Sequence, residues 1–376
     1  MGAGRSVMIV IVGPAYPYRG GIADTNEALA QALMDMGKEV HMVSFEVLYP
    51  QFLFPGKTQF VNGPRPGALS IERRLHSLNP VSWYKTAQYI KSLKPEWVLF
   101  RYWMPFLAPC FGTVARALGK GIKKLTLVDN ARGHESTWFD SGVMSLFLKE
   151  VDGVICLSDQ VKNQLDKQVQ KPGIVCTHPI NPELPKPIDQ KTARQALGLD
   201  PDAPVLLFFG LIRKYKGVDL LLESIPALKK QHPQIKVLVV GEPYIPLKPL
   251  LKRCHELEIT DQVSFHPHFV PNNDLPTWFG ACDWVVQPYR TASQSGISPM
   301  AMHFERPTLV TQVGGLAEGL EKPFAHIVEP TSEAITTGLL TCLSWEKPSA
   351  KAFLELKKTR TWSGFGDKLV GFAQSL

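Results

Sequence analysis

The sequence predicts an α/β chain of two doubly wound, parallel-sheet domains, and three observations carry that prediction. Short, fully apolar runs alternate with segments of helical period. The alternation breaks at a proline-rich stretch, His178–Lys186, and restarts beyond it. The 376 residues exceed what one hydrophobic core usually serves.

Val7–Val12 reads as the first buried strand, short and running into a Gly/Pro turn rather than a cleavage site. Asn26–Gly37 follows as a helix, with Ala28, Leu29, Ala32, Leu33 and Met36 at helical spacing and Gly37 closing it. Val40–Phe45, Trp97–Phe100, Leu125–Val128 and Gly153–Leu157 read as further strands. Runs apolar on both faces belong to a parallel sheet covered by helices on both sides. After the proline-rich linker come strands at Val205–Phe209, Ile235–Val240, Val263–Phe265, Trp284–Gln287 and Thr308–Thr311. Helices are predicted over Val218–Lys230 and Leu247–Glu258. Trp362–Leu376 reads as an amphipathic helix with Phe365, Leu369, Phe372 and Ala373 on its apolar side. Open parallel sheets bind ligands at the carboxyl ends of their strands, so a cleft between the two halves is the expected site.

Composition narrows the class. Hydrophobic residues at 44% and charged residues at 20% are ordinary for a globular chain, and no apolar run approaches the length of a membrane span. The six cysteines are scattered without a CxxC pair, which argues for buried thiols in the cytoplasm rather than zinc or a disulfide framework. The net charge of +7 is uneven: Lys57–Arg132 holds 13 Lys/Arg against Glu72, Glu96 and Asp129. Aromatic residues, among them Trp83, Tyr84, Tyr89 and Trp103, are interleaved. Such a surface suits anionic lipid headgroups or a phosphate-bearing acceptor; a solvated basic face over an ordinary core is the other reading. No nucleic-acid-binding signature accompanies it, and no nucleic-acid partner is expected.

Three segments suit anion chemistry. The first strand ends in Gly13-Pro14-Ala15-Tyr16-Pro17-Tyr18-Arg19-Gly20-Gly21 before a helix, where glycines let backbone N–H groups approach a phosphate. This is neither GxGxxG nor a Walker A loop, so dinucleotide oxidoreductases and P-loop enzymes lose support. Strand Val205–Phe209 runs into Gly210-Leu211-Ile212-Arg213-Lys214-Tyr215-Lys216-Gly217, whose cations suit a nucleotide diphosphate and its developing charge as a leaving group. Ser293-Gln294-Ser295-Gly296-Ile297 places small residues ahead of a helix, a further backbone anion nest.

Together, FFGLIRKYKGVDLLLES, VPNNDLPTWFGACDWVVQPY, SQSGISPMAMHFERPTLVTQVGGLAE and the TWSGF tail resemble the GT-B glycosyltransferases, and within them the retaining family 4. GPAYPYRGGIA, YPQFLFPGKTQ, RYWMPFLAPCFG and VDNARGHE extend the resemblance through the N-terminal half. It implies two Rossmann-like domains across a cleft: residues 1–185, completed by a crossover helix at 360–376, on the acceptor side, and 186–359 binding the nucleotide sugar. It also implies that Gly20 and Gly21 contact the donor diphosphate, that Lys216 is the phosphate lysine, and that Arg213 replaces an arginine usually found at the Leu211 position. Backbone amides of Ser295, Gly296 and Ile297 would meet the phosphates, and Val270 with Pro271 would line the base pocket.

Two departures from the family pattern stand out. The two glutamates usual eight positions apart are Ala292 and Met300 here, which leaves Ser293, Gln294 or Ser295 to meet the donor sugar. Where a histidine usually stands near the sugar, Asp129 appears, with His134 and Glu135 further on. The implied chemistry is transfer from a UDP- or GDP-sugar to a glycan or lipid-linked acceptor of the cell envelope, with the anomeric configuration retained. Arg213, Lys216, Asp129 and His134 are the expected catalytic residues. No obligatory metal is expected, since Asp200-Pro201-Asp202 precedes a strand rather than following one. The implied location is the cytoplasm, with peripheral docking on an anionic membrane through residues 57–132. A catalytically silent scaffold, a nucleotide-sugar epimerase and a glycan phosphorylase are the alternatives; the last needs a pyridoxal-phosphate lysine motif that does not stand out.

Overall fold

The computed structural model describes residues 7–49, 58–61, 67–130 and 139–376. The chain divides into two compact units, Met1–Pro179 with Thr361–Leu376, and Ile180–Arg360. The second unit starts ahead of the 185/186 boundary drawn on the prolines, because Ile180 and Leu184 are buried in its core.

The first unit alternates β1 (Met8–Val12), α1 (Gly21–Asp35), β2 (Glu39–Val47), β3 (Ser70–His76), α2 (Pro80–Leu93), β4 (Trp97–Tyr102), α3 (Ala108–Leu118), β5 (Lys123–Val128), α4 (Phe139–Glu150), β6 (Gly153–Cys156), α5 (Asp159–Asp166) and β7 (Gly173–Val175). Its parallel sheet has the order β3-β2-β1-β4-β5-β6-β7. The all-apolar β1 has a simple cause: Ile9 and Ile11 enter the core under α1, while Val10 and Val12 enter the core on the opposite face. A strand buried on both sides has no polar register to keep.

Two features differ from the sequence expectation. Helix α1 begins at Gly21, not Asn26, because its first turn is anchored by polar contacts rather than apolar period. There Thr25 Oγ1 donates to the Gly21 carbonyl at 2.7 Å, and Asn26 Nδ2 donates to the Pro14 carbonyl at 2.9 Å. Strand β3 has no signal in the sequence, since SIERRLH exposes Glu72, Arg73 and Arg74 and lacks an apolar run. It is an edge strand, where exposed charge is tolerated and protective.

The second unit runs α6 (Gln190–Ala196), β8 (Val205–Phe209), α7 (Val218–Gln231), β9 (Lys236–Val240), α8 (Lys248–Glu256), β10 (Val263–His266), α9 (Leu275–Ala281), β11 (Trp284–Gln287), α10 (Ile297–His303), β12 (Thr308–Thr311), β13 (Ala325–Val328), α11 (Ser332–Ser344) and α12 (Ala350–Thr359). Its sheet order is β10-β9-β8-β11-β12-β13, again all parallel. Both sheets reverse their winding at one point, β1/β4 in the first and β8/β11 in the second. Ligands bind at such points in doubly wound folds.

The last helix, α13 (Trp362–Ser375), belongs to the first unit. Phe365, Leu369 and Val370 join Leu29 and Leu33 of α1 in one buried cluster. Gly366 lets the two helices approach, since a Cβ there would lie 2.9 Å from Met36 Sδ. Among the described residues no helix is long and apolar enough to cross a membrane.

Candidate functional site

In the second unit the loops leaving β8 and β11 meet at the switch point. Gly217, at φ 67°, makes the meeting possible: a Cβ there would lie 1.9 Å from the Pro288 carbonyl oxygen. No side chain fits that approach. Arg290 then locks the two loops, its amide donating to the Tyr215 carbonyl at 2.7 Å. Its guanidinium pairs with both oxygens of Asp219 in the first turn of α7, each at 2.7 Å. None of these contacts has a local sequence signal.

This frame holds two cations that make no ion pair among the described residues. Lys216 Nζ lies 5.0 Å from the centroid of the buried Tyr289 ring and packs towards Gly210, whose missing Cβ would stand 3.1 Å away. Burial lowers its pKa from the ordinary lysine value; Tyr215 works against that shift and the nearby Arg213 charge adds to it. The Arg213 guanidinium stacks over Tyr244 at 4.6 Å, and its Nε is buried without a hydrogen-bond partner. Among the described residues neither cation makes an ion pair, although the unit satisfies its other buried charges. Arg194, for example, pairs with Asp283 at 2.9 Å. A half-buried cation pair left without an ion-pair partner is a costly arrangement for a fold and a useful one for an anion.

The segment from Ala292 to Ile297 follows β11 on the same edge. Ser295 Oγ accepts the Ile297 N–H at 3.2 Å, so that amide is engaged within the chain. Gln294 Oε1 is buried without a partner, and Ser293 is buried beside it. Gly296 has an ordinary φ and open space within 4 Å of where a Cβ would stand, so packing gives no reason for glycine there. Ala292 is buried in one apolar cluster of the unit and Met300 packs against another, with no carboxylate at either place. Val270 is buried among Val240, Leu275 and Trp278, whereas Pro271 is exposed.

In the first unit Gly20, at φ 108°, precedes the first turn of α1, and nothing approaches the Cβ positions of Gly20 or Gly21. That turn carries Asp24, whose pKa rises to about 6 through burial, reinforced by Glu27. Asp129, just past β5, is 3% exposed and committed to Arg101: Nε donates to Oδ2 at 2.6 Å and Nη2 to Oδ1 at 2.7 Å. Arg101 is 1% exposed and reaches Asn26 Oδ1 at 3.5 Å, beside Gly13. A Cβ on Gly13 would stand 2.6 Å from Asn26 Nδ2. The network ties the carboxyl ends of β1, β4 and β5 to α1, and both Asp129 oxygens are already hydrogen-bonded. Sequence reasoning missed Arg101; its signal is a lone charge in the apolar run WVLFRY. His134 and Glu135 lie outside the described residues.

The family described as Glycosyl transferases group 1 matches residues 189–355, within the second unit. The chain is 30% identical over 184 residues to the lipopolysaccharide core biosynthesis mannosyltransferase LpsB of Rhizobium meliloti strain 1021, covering 47% of this chain and 50% of that one. It is 32% identical over 179 residues to D-inositol 3-phosphate glycosyltransferase 2 of Catenulispora acidiphila, covering 44% of this chain and 41% of the relative. The chain thus spans half or less of the length of these curated relatives. Two solved structures share the whole fold. Sucrose-phosphate synthase of Thermosynechococcus elongatus superposes with a TM-score of 0.74 at 16% identity, covering 98% of each chain. Anabaena Alr3699/HepE in complex with UDP-glucose does so with 0.73 at 15%, covering 98% of this chain and 100% of that one. The fold is therefore that of the GT-B glycosyltransferases, as the sequence resemblance implies.

Proposed function

We propose that the chain is a glycosyltransferase that moves a sugar from a nucleotide-diphosphate donor to a glycan or lipid-linked acceptor. The observation that carries this reading is the uncompensated pair Arg213 and Lys216 at the β8/β11 switch point, inside the stretch that matches the glycosyl transferases group 1 family. As the glycosidic bond breaks, negative charge grows on the leaving diphosphate. Two fixed, partly desolvated cations stabilise that charge more than they stabilise the ground state. The nucleotide is a UDP or GDP; the complexes of Alr3699/HepE with UDP and with UDP-glucose favour the former.

The donor contacts we assign are Lys216 and Arg213 to the diphosphate, and Ser293, Gln294 and Ser295 to the sugar. Gly296 and Ile297 lie on the phosphate side, and Val270 with Pro271 on the base. In the first unit the open Gly20–Gly21 turn offers backbone amides to phosphate. With no free carboxylate beside the sugar segment at Ala292 or Met300, a covalent enzyme intermediate has no nucleophile there. Retention then follows from front-face attack, the acceptor hydroxyl losing its proton to a donor phosphate oxygen. A cell-envelope acceptor and docking on an anionic membrane belong to the same proposal, supported by the basic stretch 57–132 and the likeness to LpsB.

Turnover of a UDP-sugar by Lys216→Ala and by Arg213→Ala is expected to fall about 10²–10³-fold in each, with the fold retained. Wild-type turnover by both variants would refute the assignment. The anomeric configuration of the product, read by NMR at early times, tests retention separately. The missing glutamates favour one other reading, a silent binding subunit. It predicts nucleotide binding without transfer to any acceptor, and without hydrolysis.

A further inference from the structure

We propose that the first unit carries a second anion subsite, distinct from the Gly20–Gly21 turn, that takes a phosphate group borne by the acceptor. This rests on the glycosyl-transfer reading above and names a chemical feature of its acceptor. The observation is a cavity of about 290 Å³ lined by Glu46, Arg73, Arg74, Asn79, Ser82 and Lys85, between the carboxyl ends of β2 and β3 and the start of α2.

Its cations are held mainly by main-chain carbonyls and an aromatic ring, with one weak, exposed ion pair. Arg73 donates from Nε to the Phe45 carbonyl at 2.9 Å and from Nη2 to the Glu46 carbonyl at 2.8 Å. Main-chain carbonyls orient a guanidinium but leave its charge in place. Arg74 lies over the Tyr89 ring at 3.9 Å, and its nearest carboxylate is Glu72, 3.6 Å away between two exposed side chains. An exposed pair of that kind contributes little. Lys85 makes no ion pair or hydrogen bond among the described residues. Against these three cations the lining sets one carboxylate, Glu46. Any exposed charge protects an edge strand such as β3. That need does not account for two guanidinium groups and an ammonium converging on one cavity.

The chemistry fits phosphate. Arginine forks match its oxygens in bidentate fashion, and a lysine adds a point charge. Glu46 is then an acceptor for a hydroxyl on the group that bears the phosphate. The subsite also adjoins the glycine turn of its own unit. Tyr18, from the Gly13–Gly21 loop, donates to the Glu46 carbonyl at 3.3 Å and accepts the Leu48 N–H at 3.0 Å, with Arg73 5.7 Å from its ring. Two sources carry such a group, a lipid headgroup and a soluble sugar phosphate.

The test compares the full-length wild type with Arg74→Gln/Lys85→Gln; Arg73 is left in place because it holds the strand end. Lys230→Gln/Lys351→Gln removes the same charge from exposed positions of the second unit, outside residues 57–132, and serves as the control. Each protein is saturated with whichever of UDP, GDP or ADP raises its melting temperature, so that the donor site is filled. It is then titrated with glucose 1-phosphate and sedimented with phosphatidylglycerol–phosphatidylcholine vesicles. Binding weakened at least about tenfold in the cavity variant alone is expected. Loss of glucose 1-phosphate binding identifies a soluble source, and loss of vesicle binding a lipid one. Binding equal in the cavity variant and the wild type, equal losses in cavity and control variants, or no wild-type binding to either probe overturns the subsite. If the nucleotide shift persists in all three proteins, only the subsite has failed. If no nucleotide stabilises the wild type, the glycosyl-transfer reading has failed instead.

Discussion

Lys216 is the residue whose environment is hardest to explain by folding alone. Burial lowers its pKa, so the ammonium loses its proton at a lower pH than the ordinary 10.5 of a lysine. Nucleotide affinity should therefore decline in alkaline solution before that value is reached. It should stay flat in Lys216→Arg, whose guanidinium does not titrate there; calorimetric titration across pH checks this. Asp24 gives a second prediction of opposite sign. Its carboxyl is raised from 3.8 to about 6, so the folded state keeps a proton that the unfolded chain releases, and stability is lost as pH rises through that window. Asp24→Asn should stabilise the protein at pH 8 by up to about 3 kcal/mol, less what solvent screening removes, and by nothing below about pH 3, as read from denaturant midpoints. The cations at 213 and 216 are legible in the sequence, because their spacing after a strand is local. Tyr289 beneath Lys216 is not, since 73 residues of chain separate a ring and an ammonium that only the sheet order brings together.

At the scale of elements, the parts that sequence reading recovers are those that folding makes apolar. Strands β1, β4, β5, β8 and β11 are buried on both faces, and their runs announce them. Edge strand β3 and the first turn of α1 are invisible because exposed charge and side-chain-to-backbone bonds, not apolar period, define them. The Arg101–Asp129 pair lies between these classes: a charged residue in an apolar strand, holding three strand ends. Asp129→Ala should cost about 3–5 kcal/mol, because it leaves a buried guanidinium unpaired. A purely catalytic Asp129 would instead lose turnover with its melting temperature unchanged. Gly217→Ala should separate the β8 and β11 loops and abolish nucleotide binding, since a methyl group would meet the Pro288 carbonyl at 1.9 Å. Circular dichroism with nucleotide titration reads both effects.

Over the whole molecule, the same doubly wound order appears twice, and the chain's last helix returns to the unit in which the chain began. Removing Thr361–Leu376 should therefore unfold the first unit, by uncovering Leu29, Leu33 and Ile155, and leave the second unit's nucleotide response intact. Limited proteolysis with nucleotide protection checks it. The two-unit plan is legible because a proline-rich stretch separates two repeats of one alternation. The donor sugar is not, because the positions that usually carry glutamates hold Ala292 and Met300. The central claim, an anion site built on Arg213 and Lys216, is tested most directly by thermal shift against UDP, GDP, ADP and their sugars, with wild type beside Arg213→Ala/Lys216→Ala. A ligand bound only by the native state stabilises it by about 2.7 kcal/mol at a hundredfold excess over its Kd. One nucleotide should thus raise the wild-type melting temperature by several degrees and leave the double variant unmoved. Equal shifts in both proteins, or none with any nucleotide, would contradict the claim.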